Sequence, residues 1–243
     1  MRNRGRRDVR AEREEEALGA LMAIGTEFWR ALGTVSTKWG SCQAVRSWKS
    51  LLTEAGNGWE PQAALDDLSR EAPALADAFL RSWLRGRCLD HSLDLGGLAW
   101  ITSLPNGLIV EGDLALSSCP ALGRISGGLI VGGDLEVVEC GSLRFLPSGM
   151  RTGGDLWATG CDALLAIRRD AAIGGNLILR RCAALTSLPR GLTVGGTLNL
   201  HGCYSLRHLP KALRVGKDLI LRGCPSLDRQ LPTDARVGGR VLY

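Results

Sequence analysis

Six cysteines recur at one fixed interval in the second half of the chain. Each lies 21 residues after the one before: Cys119, Cys140, Cys161, Cys182, Cys203 and Cys224. A column of leucines keeps the same period: Leu114, Leu135, Leu156, Leu177, Leu198 and Leu219. An unbroken period of about 20 to 30 residues is typical of a solenoid, in which one small unit stacks on copies of itself. The repeat therefore favours a stacked-coil fold and argues against an ordinary enzyme pocket.

We count Leu93 as position 1 of the first coil, so that the cysteines occupy position 6. The consensus over the coils is L-x-L-x-x-C-x-x-L-x-x-L-P-x-G-L-x-V-G-G-D. Leu-x-Leu predicts a short strand with positions 1 and 3 inward and positions 2 and 4 outward. The segment from Leu-Pro to Leu-x-Val predicts extended chain returning along the opposite side. The Gly-Gly pair predicts a tight turn with positive φ.

Residues 1–90 carry no repeat and have the apolar spacing of helices. Leu18, Leu21 and Met22 fall near one helical face, and Pro73 suits the first turn of a further short helix. The sequence therefore predicts an α+β protein. A helical N-terminal domain, residues 1–90, caps a solenoid of parallel strands, residues 91–243, with seven coils of 21 residues. Val241-Leu242-Tyr243 begin an eighth unit.

The segment Leu135-x-Val137-x-x-Cys140-x-x-Leu143 and its copies resemble the cysteine-bearing repeats of the leucine-rich-repeat family. Leu188-Pro-Arg-Gly-Leu192 is similar to the short repeats of bacterial secreted effectors, which also carry a helical N-terminal cap. The resemblance covers about residues 93–243 and implies a non-enzymatic protein-binding module, as in an effector or adaptor. Two departures stand out: Gly132 and its equivalents replace a family leucine, and the return segment is longer. A more regular β-helix, with a second strand at Leu-x-Val, stays open.

Catalytic and cofactor sites are not indicated. Zinc sites use clustered cysteine pairs, whereas this chain has one cysteine per coil, which favours buried structural thiols. The Gly-Gly-Asp repeats have no helix after them, unlike nucleotide-binding loops. The three histidines, His91, His201 and His208, lie in no catalytic pattern. We therefore expect no enzymatic activity, no cofactor and no metal.

The outward strand positions are the candidate binding residues. We expect exposed apolar groups at Trp157, Ile178 and Ile220, and a line of cationic groups beside them. Aromatic and arginine side chains near an apolar centre are typical of interface hot spots. The predicted partner-binding residues are Glu136, Trp157, Ile178, Arg180, Asn199, His201, Ile220 and Arg222.

The charge of the repeats changes along the chain. Residues 93–176 hold five Arg against nine acids, whereas residues 177–240 hold eleven Lys or Arg against three acids. The basic end favours an acidic protein partner and salt-sensitive association. Two alternatives stay open. One is nucleic-acid binding by the basic coils with the N-terminal cluster Arg2, Arg4, Arg6 and Arg7. The other is homo-oligomer formation through an open edge at residues 241–243.

The sequence contains no apolar run near the length of a membrane span and no apolar segment after its basic N-terminus. We therefore expect no membrane association and no Sec signal peptide. Eight cysteines without an export signal favour thiols in a reducing cytoplasm. Export by another route stays open.

Overall fold

The structure is a computed structural model that describes residues 73–85, 88–228 and 230–243. The helices predicted for residues 1–72 lie outside this range. One helix, Pro73–Leu84, is described, and it begins at the proline as expected. Asp77 and Arg81, one turn apart, form a salt bridge of 2.9 Å. Among the described residues, no helix has the length and apolar character that a membrane crossing requires. The capping role of residues 1–90 stays a prediction.

The chain divides into two units between Trp83 and Leu84. The second unit is a parallel β-solenoid of about seven coils with a 21-residue repeat, as the cysteine and leucine columns predict. Each coil has three sides. Two sides carry continuous eight-stranded sheets, and the third carries short strand pairs. The second strand per coil, which the sequence left as an alternative, is present.

The first sheet follows positions 17 and 18 of the coils and forms the return side. All its strands pair in parallel with strict coil-to-coil register. Its strands are Cys88–Leu89, Ile109–Val110, Ile130–Val131, Arg151–Thr152, Ala172–Ile173, Thr193–Val194, Arg214–Val215 and Arg236–Val237.

The second sheet follows positions 1 and 2 and is the sheet predicted from Leu-x-Leu. Its strands are Leu93–Asp94, Leu114–Ala115, Leu135–Glu136, Leu156–Trp157, Leu177–Ile178, Leu198–Asn199, Leu219–Ile220 and Val241–Leu242. The last of these pairs in parallel with Leu219–Ile220, so the expected start of an eighth unit is confirmed. Self-assembly through residues 241–243 stays a prediction.

The third side follows positions 10 to 14. It holds two parallel pairs, Ser103–Leu104 with Arg124–Ile125, and Phe145–Leu146 with Ala166–Ile167. A single bridge from Ala166 to Ser187 extends the second pair by one coil. Proline at position 13 of several coils lacks an N–H and interrupts longer pairing on this side.

The core is a column of aliphatic side chains that all three sides share. The position 1 leucines from Leu114 to Leu219 are fully buried. Leu or Ile at position 12 and Val or Ile at position 18, replaced by Thr152 in one coil, are buried with them. Burying one such side chain is worth about 1.5–3 kcal/mol. Because every coil contributes the same columns, each coil is stabilised chiefly by its two neighbours.

The glycine pairs at positions 19 and 20 form the corner between the first and second sheets. The expectation of positive φ there is wrong: no glycine of these pairs is among the positive-φ residues. Close approach between coils explains them instead. A Cβ on Gly174 would overlap the carbonyl oxygen of Gly153, and a Cβ on Gly175 would overlap Oδ1 of Asp155. Only glycine lets successive corners stack at this distance.

Position 21 carries a ladder of side-chain to backbone hydrogen bonds along the same corner. The backbone N–H of Asp155 donates to Oδ1 of Asp134 over 2.7 Å, and the N–H of Asn176 donates to Oδ1 of Asp155 over 2.7 Å. Position 20 is glycine where the preceding coil has Asp or Asn at position 21. Thr197 breaks the ladder, and one coil later position 20 is Lys217. The two positions are therefore sterically coupled.

Positive φ occurs at two other positions. Position 5 is left-handed in all seven coils, with glycine in four of them and with Ser118, Glu139 and Arg181 in the rest. Position 15 is left-handed in six coils, where Asp170 and Ala212 replace glycine. These turns, and not the Gly-Gly corner, hold the backbone conformation that L-residues disfavour.

Candidate binding surface

The position 2 side chains of the second sheet form one row across adjacent coils. Strand register places Trp157 beside Glu136 on one side and Ile178 on the other. The row continues from Ile178 to Asn199 and from Asn199 to Ile220. Parallel strands lie about 4.8 Å apart, so these five residues line up over roughly 19 Å. We call them the outer row.

Exposure differs along the outer row. Trp157 is 39% exposed and is one of five large hydrophobic side chains that are exposed in the described part of the chain. Ile178 and Ile220 were expected to be exposed, but they are only partly exposed. Glu136 is exposed and Asn199 is partly exposed. Trp157 is therefore the most accessible apolar group of the row.

Position 4 supplies the cationic line predicted beside the outer row. Arg180 and Arg222 are exposed, and His201, in the coil between them, is partly exposed. Within the described residues, neither arginine forms an ion pair. Oδ1 of Asn199 accepts a hydrogen bond of 3.0 Å from the His201 backbone N–H. This bond fixes the Asn199 side chain and leaves its amide N–H groups for a partner.

Five of the six position 6 cysteines are buried in the solenoid, and Cys224, in the last complete coil, is partly exposed. Each donates a hydrogen bond to the position 3 carbonyl of the preceding coil, from Cys119 to Leu95 (3.2 Å) through Cys224 to Leu200 (3.0 Å). The thiols therefore satisfy backbone acceptors in the core. Leu98 occupies this position in the first coil.

Burial also keeps these thiols protonated. It raises the pKa of Cys119 to about 11 and the pKa of Cys161, Cys182 and Cys203 to about 12. Zinc ligation and nucleophilic attack both require the thiolate, which this environment disfavours. No group of three or more potential metal ligands occurs in the part of the chain that the structure describes. The column fits a structural role.

The third side carries a concentration of positive charge that sequence reasoning missed. Positions 10 to 14 of the five coils from 123 to 211 contain no acidic residue. They contain seven exposed cationic side chains, which we call the arginine side: Arg124, Arg144, Arg168, Arg169, Arg190, Arg207 and Lys211. The sequence analysis compared the charge of successive residue ranges along the chain. Comparing the charge of each repeat position across the coils would have revealed this side.

Phe145 lies within the arginine side and is partly exposed. The guanidinium carbon of Arg168 is 4.4 Å from the centre of its ring, and that of Arg144 is 5.8 Å away. Both distances are within the range of cation–π attraction. Arg168 comes from the coil after Phe145, so the contact also links two coils.

Comparison of the chain with protein-family models, with curated proteins and with solved structures found no match in any of the three. Its function is therefore argued from the geometry of its own residues. The two surfaces that the geometry distinguishes are the outer row with its cationic line and the arginine side.

Proposed function

We propose that this protein is a non-enzymatic protein-interaction module whose solenoid is of the leucine-rich-repeat type. The observation that carries the proposal is the outer row. It is a contiguous line of side chains on adjacent coils, with an exposed tryptophan near one end. The two arginines alongside form no ion pair with any described residue. A solenoid repeat fold of this kind is compatible with binding a protein partner.

The outer row has the composition of an interface hot spot. Trp157 offers a large apolar surface to a partner. Ile178 and Ile220 add smaller apolar areas, because each is only partly exposed. Burying a tryptophan in a partner pocket commonly contributes 2 kcal/mol or more to binding. The partner surface should therefore contain an apolar pocket opposite Trp157.

The charges beside the row favour an acidic partner. Arg180 and Arg222 stand two coils apart, about 10 Å at the spacing of parallel strands. Two partner carboxylates at that separation could pair with both guanidinium groups. Glu136, at the N-terminal end of the outer row, would repel the same carboxylates if the partner bound in the reverse orientation. The partner would thus bind in one orientation, with its acidic end toward the C-terminal coils.

The thiol column supports a reducing compartment, which we propose is the cytoplasm. Six hydrogen bonds to core carbonyls require sulfur that carries a proton. Oxidation of any of these sulfurs would remove a hydrogen-bond donor from a core carbonyl. Such a core is better suited to a cell interior than to an oxidising exterior.

The proposal is tested by affinity capture from lysate with wild-type protein and the double variant Arg180→Glu/Arg222→Glu. We expect a protein retained by the wild type and lost from the variant. Trp157→Ala should weaken binding of the captured protein by about 30-fold, equivalent to a loss of about 2 kcal/mol.

A matched control reverses two arginines on the outward side of the first sheet, Arg214→Glu/Arg236→Glu. It makes the same change in net charge and should retain the partner. Circular dichroism melts should show that both double variants stay folded. Equal loss of binding in the two variants would show that net charge alone governs capture, and unchanged binding in Arg180→Glu/Arg222→Glu would overturn the proposal.

A further inference from the structure

In the coils from residue 114 to residue 176, the arginine side differs in charge from the other two sides. The coils from residue 114 to residue 176 carry acids on the outer row, at the corner turns and at position 21, but none at positions 10 to 14. In these coils, which hold more acidic than basic residues in total, the positive charges are therefore concentrated at positions 10 to 14 and the acids lie elsewhere. A surface with one sign of charge over five coils attracts a polyanion and speeds its association.

The cations of this side are available for a ligand. Among the described residues, Arg169 is its only member in an ion pair, a long contact of 3.9 Å with Asp170. Both Arg169 and Asp170 are highly exposed, so solvent screens this contact strongly. The other six cations form no ion pair with any carboxylate in the described part of the chain.

The geometry of the side suits a linear ligand. The cations are carried by consecutive coils from Arg124 to Lys211, which span about 19 Å at about 4.8 Å per coil. They follow the solenoid axis. A chain of regularly spaced anions could contact several coils in succession, whereas a single small anion would use only one or two.

The residue types favour nucleic acid over an acidic polypeptide. Six of the seven cations are arginines, whose planar guanidinium groups bind phosphate through two parallel hydrogen bonds and stack on bases. The Arg168 guanidinium already lies over the Phe145 ring at 4.4 Å, near the middle of the side. Arginine planes and aromatic rings are the platforms on which unpaired bases stack.

We infer that the arginine side binds single-stranded nucleic acid, with phosphates along the cations and bases stacked near Phe145 and Arg168. This surface differs from the outer row in both position and chemistry. The inference goes beyond the proposed function because a protein partner on the second sheet and a nucleic acid on the third side would occupy different sides of each coil. The protein could then bring the two ligands together.

Fluorescence anisotropy with full-length protein and a labelled oligo(dT) of about 15 nucleotides tests the inference. The triple variant Arg144→Glu/Arg168→Glu/Arg190→Glu should bind about 100-fold more weakly at about 0.1 M salt. The slope of log K against log salt should become shallower by about 2, because each phosphate contact contributes about 0.7. Phe145→Leu, which keeps an apolar side chain but removes the ring, should weaken binding at least about fivefold.

The matched control is Arg151→Glu/Arg214→Glu/Arg236→Glu, which reverses three arginines at position 17 on the first sheet. Binding near the wild-type value in this variant would support the arginine side. An equal loss in both triple variants would overturn the inference, since it would mean that only net charge matters. Binding of poly-glutamate as tight as that of oligo(dT) would also overturn it, in favour of an acidic polypeptide. Thermal melts identify any variant that fails to fold, and then the single variants Arg144→Gln and Arg168→Gln replace it.

Discussion

The thiol of Cys182 donates a hydrogen bond of 2.9 Å to the carbonyl oxygen of Ala158, 24 residues earlier in the chain. The same bond joins position 6 to position 3 of the preceding coil at the other five cysteines of the column. A strict 21-residue cysteine period is thus explained by one acceptor that recurs at every coil boundary.

Removing one of these donors should destabilise the solenoid. Cys182→Ala leaves the Ala158 carbonyl buried without its thiol partner, so we expect the free energy of unfolding to fall by about 1–3 kcal/mol. Cys88→Ala is the matched control because Cys88 is exposed, and it should change stability by less than about 0.5 kcal/mol. Urea denaturation measures both. Equal effects of the two substitutions would contradict a structural role for the column.

The raised pKa of the buried thiols predicts a loss of stability at alkaline pH. Below about pH 9, folded and unfolded chains both keep the thiols protonated. Between the ordinary value of 9.0 and the folded pKa of about 12, only the unfolded chain releases these protons. Stability therefore falls as pH rises through this window.

Serine at one position isolates that contribution from other titrating groups. Between about pH 8 and about pH 10, wild type should lose about 1 kcal/mol more unfolding free energy than Cys182→Ser, whose hydroxyl does not titrate. Urea denaturation at the two pH values gives the difference. Identical losses in the two proteins would mean that the Cys182 thiol has a similar pKa in the folded and unfolded chains.

Much of the solenoid follows from columns that the sequence shows directly. The Leu-x-Leu column predicted the second sheet, its inward leucines and the outward position of Trp157, because side chains alternate along a strand. The Leu-x-Val segment was predicted to be extended, but whether it formed a second strand in each coil was left open. The structure pairs it in parallel through all coils, where Val110 and its equivalents complete the core.

Features that depend on distances between coils could not be predicted in the same way. The Gly-Gly corner was expected to need positive φ, because a glycine pair in one coil suggests a turn. Its real constraint is the carbonyl oxygen of the coil before it, which a single repeat does not reveal. The contact between Phe145 and Arg168 likewise joins different coils. Neither residue was singled out from the sequence.

The corner glycines should be among the least replaceable residues of the solenoid. A Cβ on Gly174 would overlap the Gly153 carbonyl oxygen and lie 3.0 Å from that of Thr152. Since both are backbone atoms, Gly174→Ala should lower the free energy of unfolding by about 3 kcal/mol or more. Gly141→Ala is the control: its Cβ would meet nothing within 4 Å and its φ is ordinary. That variant should be neutral or slightly stabilising by urea denaturation, and a small cost at Gly174 would contradict the stacked corner.

The break in the position 21 ladder predicts that Thr197 and Lys217 are energetically coupled. Asn176 accepts a hydrogen bond of 2.8 Å from the Thr197 N–H, and Gly196 leaves room for the Asn176 side chain. Thr197→Asn should extend the ladder toward Asp218, but Lys217 occupies the place where other coils have glycine. The single variant should therefore be destabilised, and adding Lys217→Gly should relieve the clash.

A double-mutant cycle measured by urea denaturation gives the coupling between the two positions. We expect Thr197→Asn and Lys217→Gly to interact favourably by about 0.5–3 kcal/mol, the range for residues in direct contact. Lys217→Gly alone should cost about 0.5–1 kcal/mol from the added backbone freedom of glycine. If the effects of the two substitutions simply add, glycine at position 20 is required by its own backbone environment and not by the residue at position 21 of the preceding coil. A favourable coupling would mean that the side chain at position 21 of one coil determines which residue fits at position 20 of the next. The regularity of the repeat would then follow from contacts between neighbouring coils.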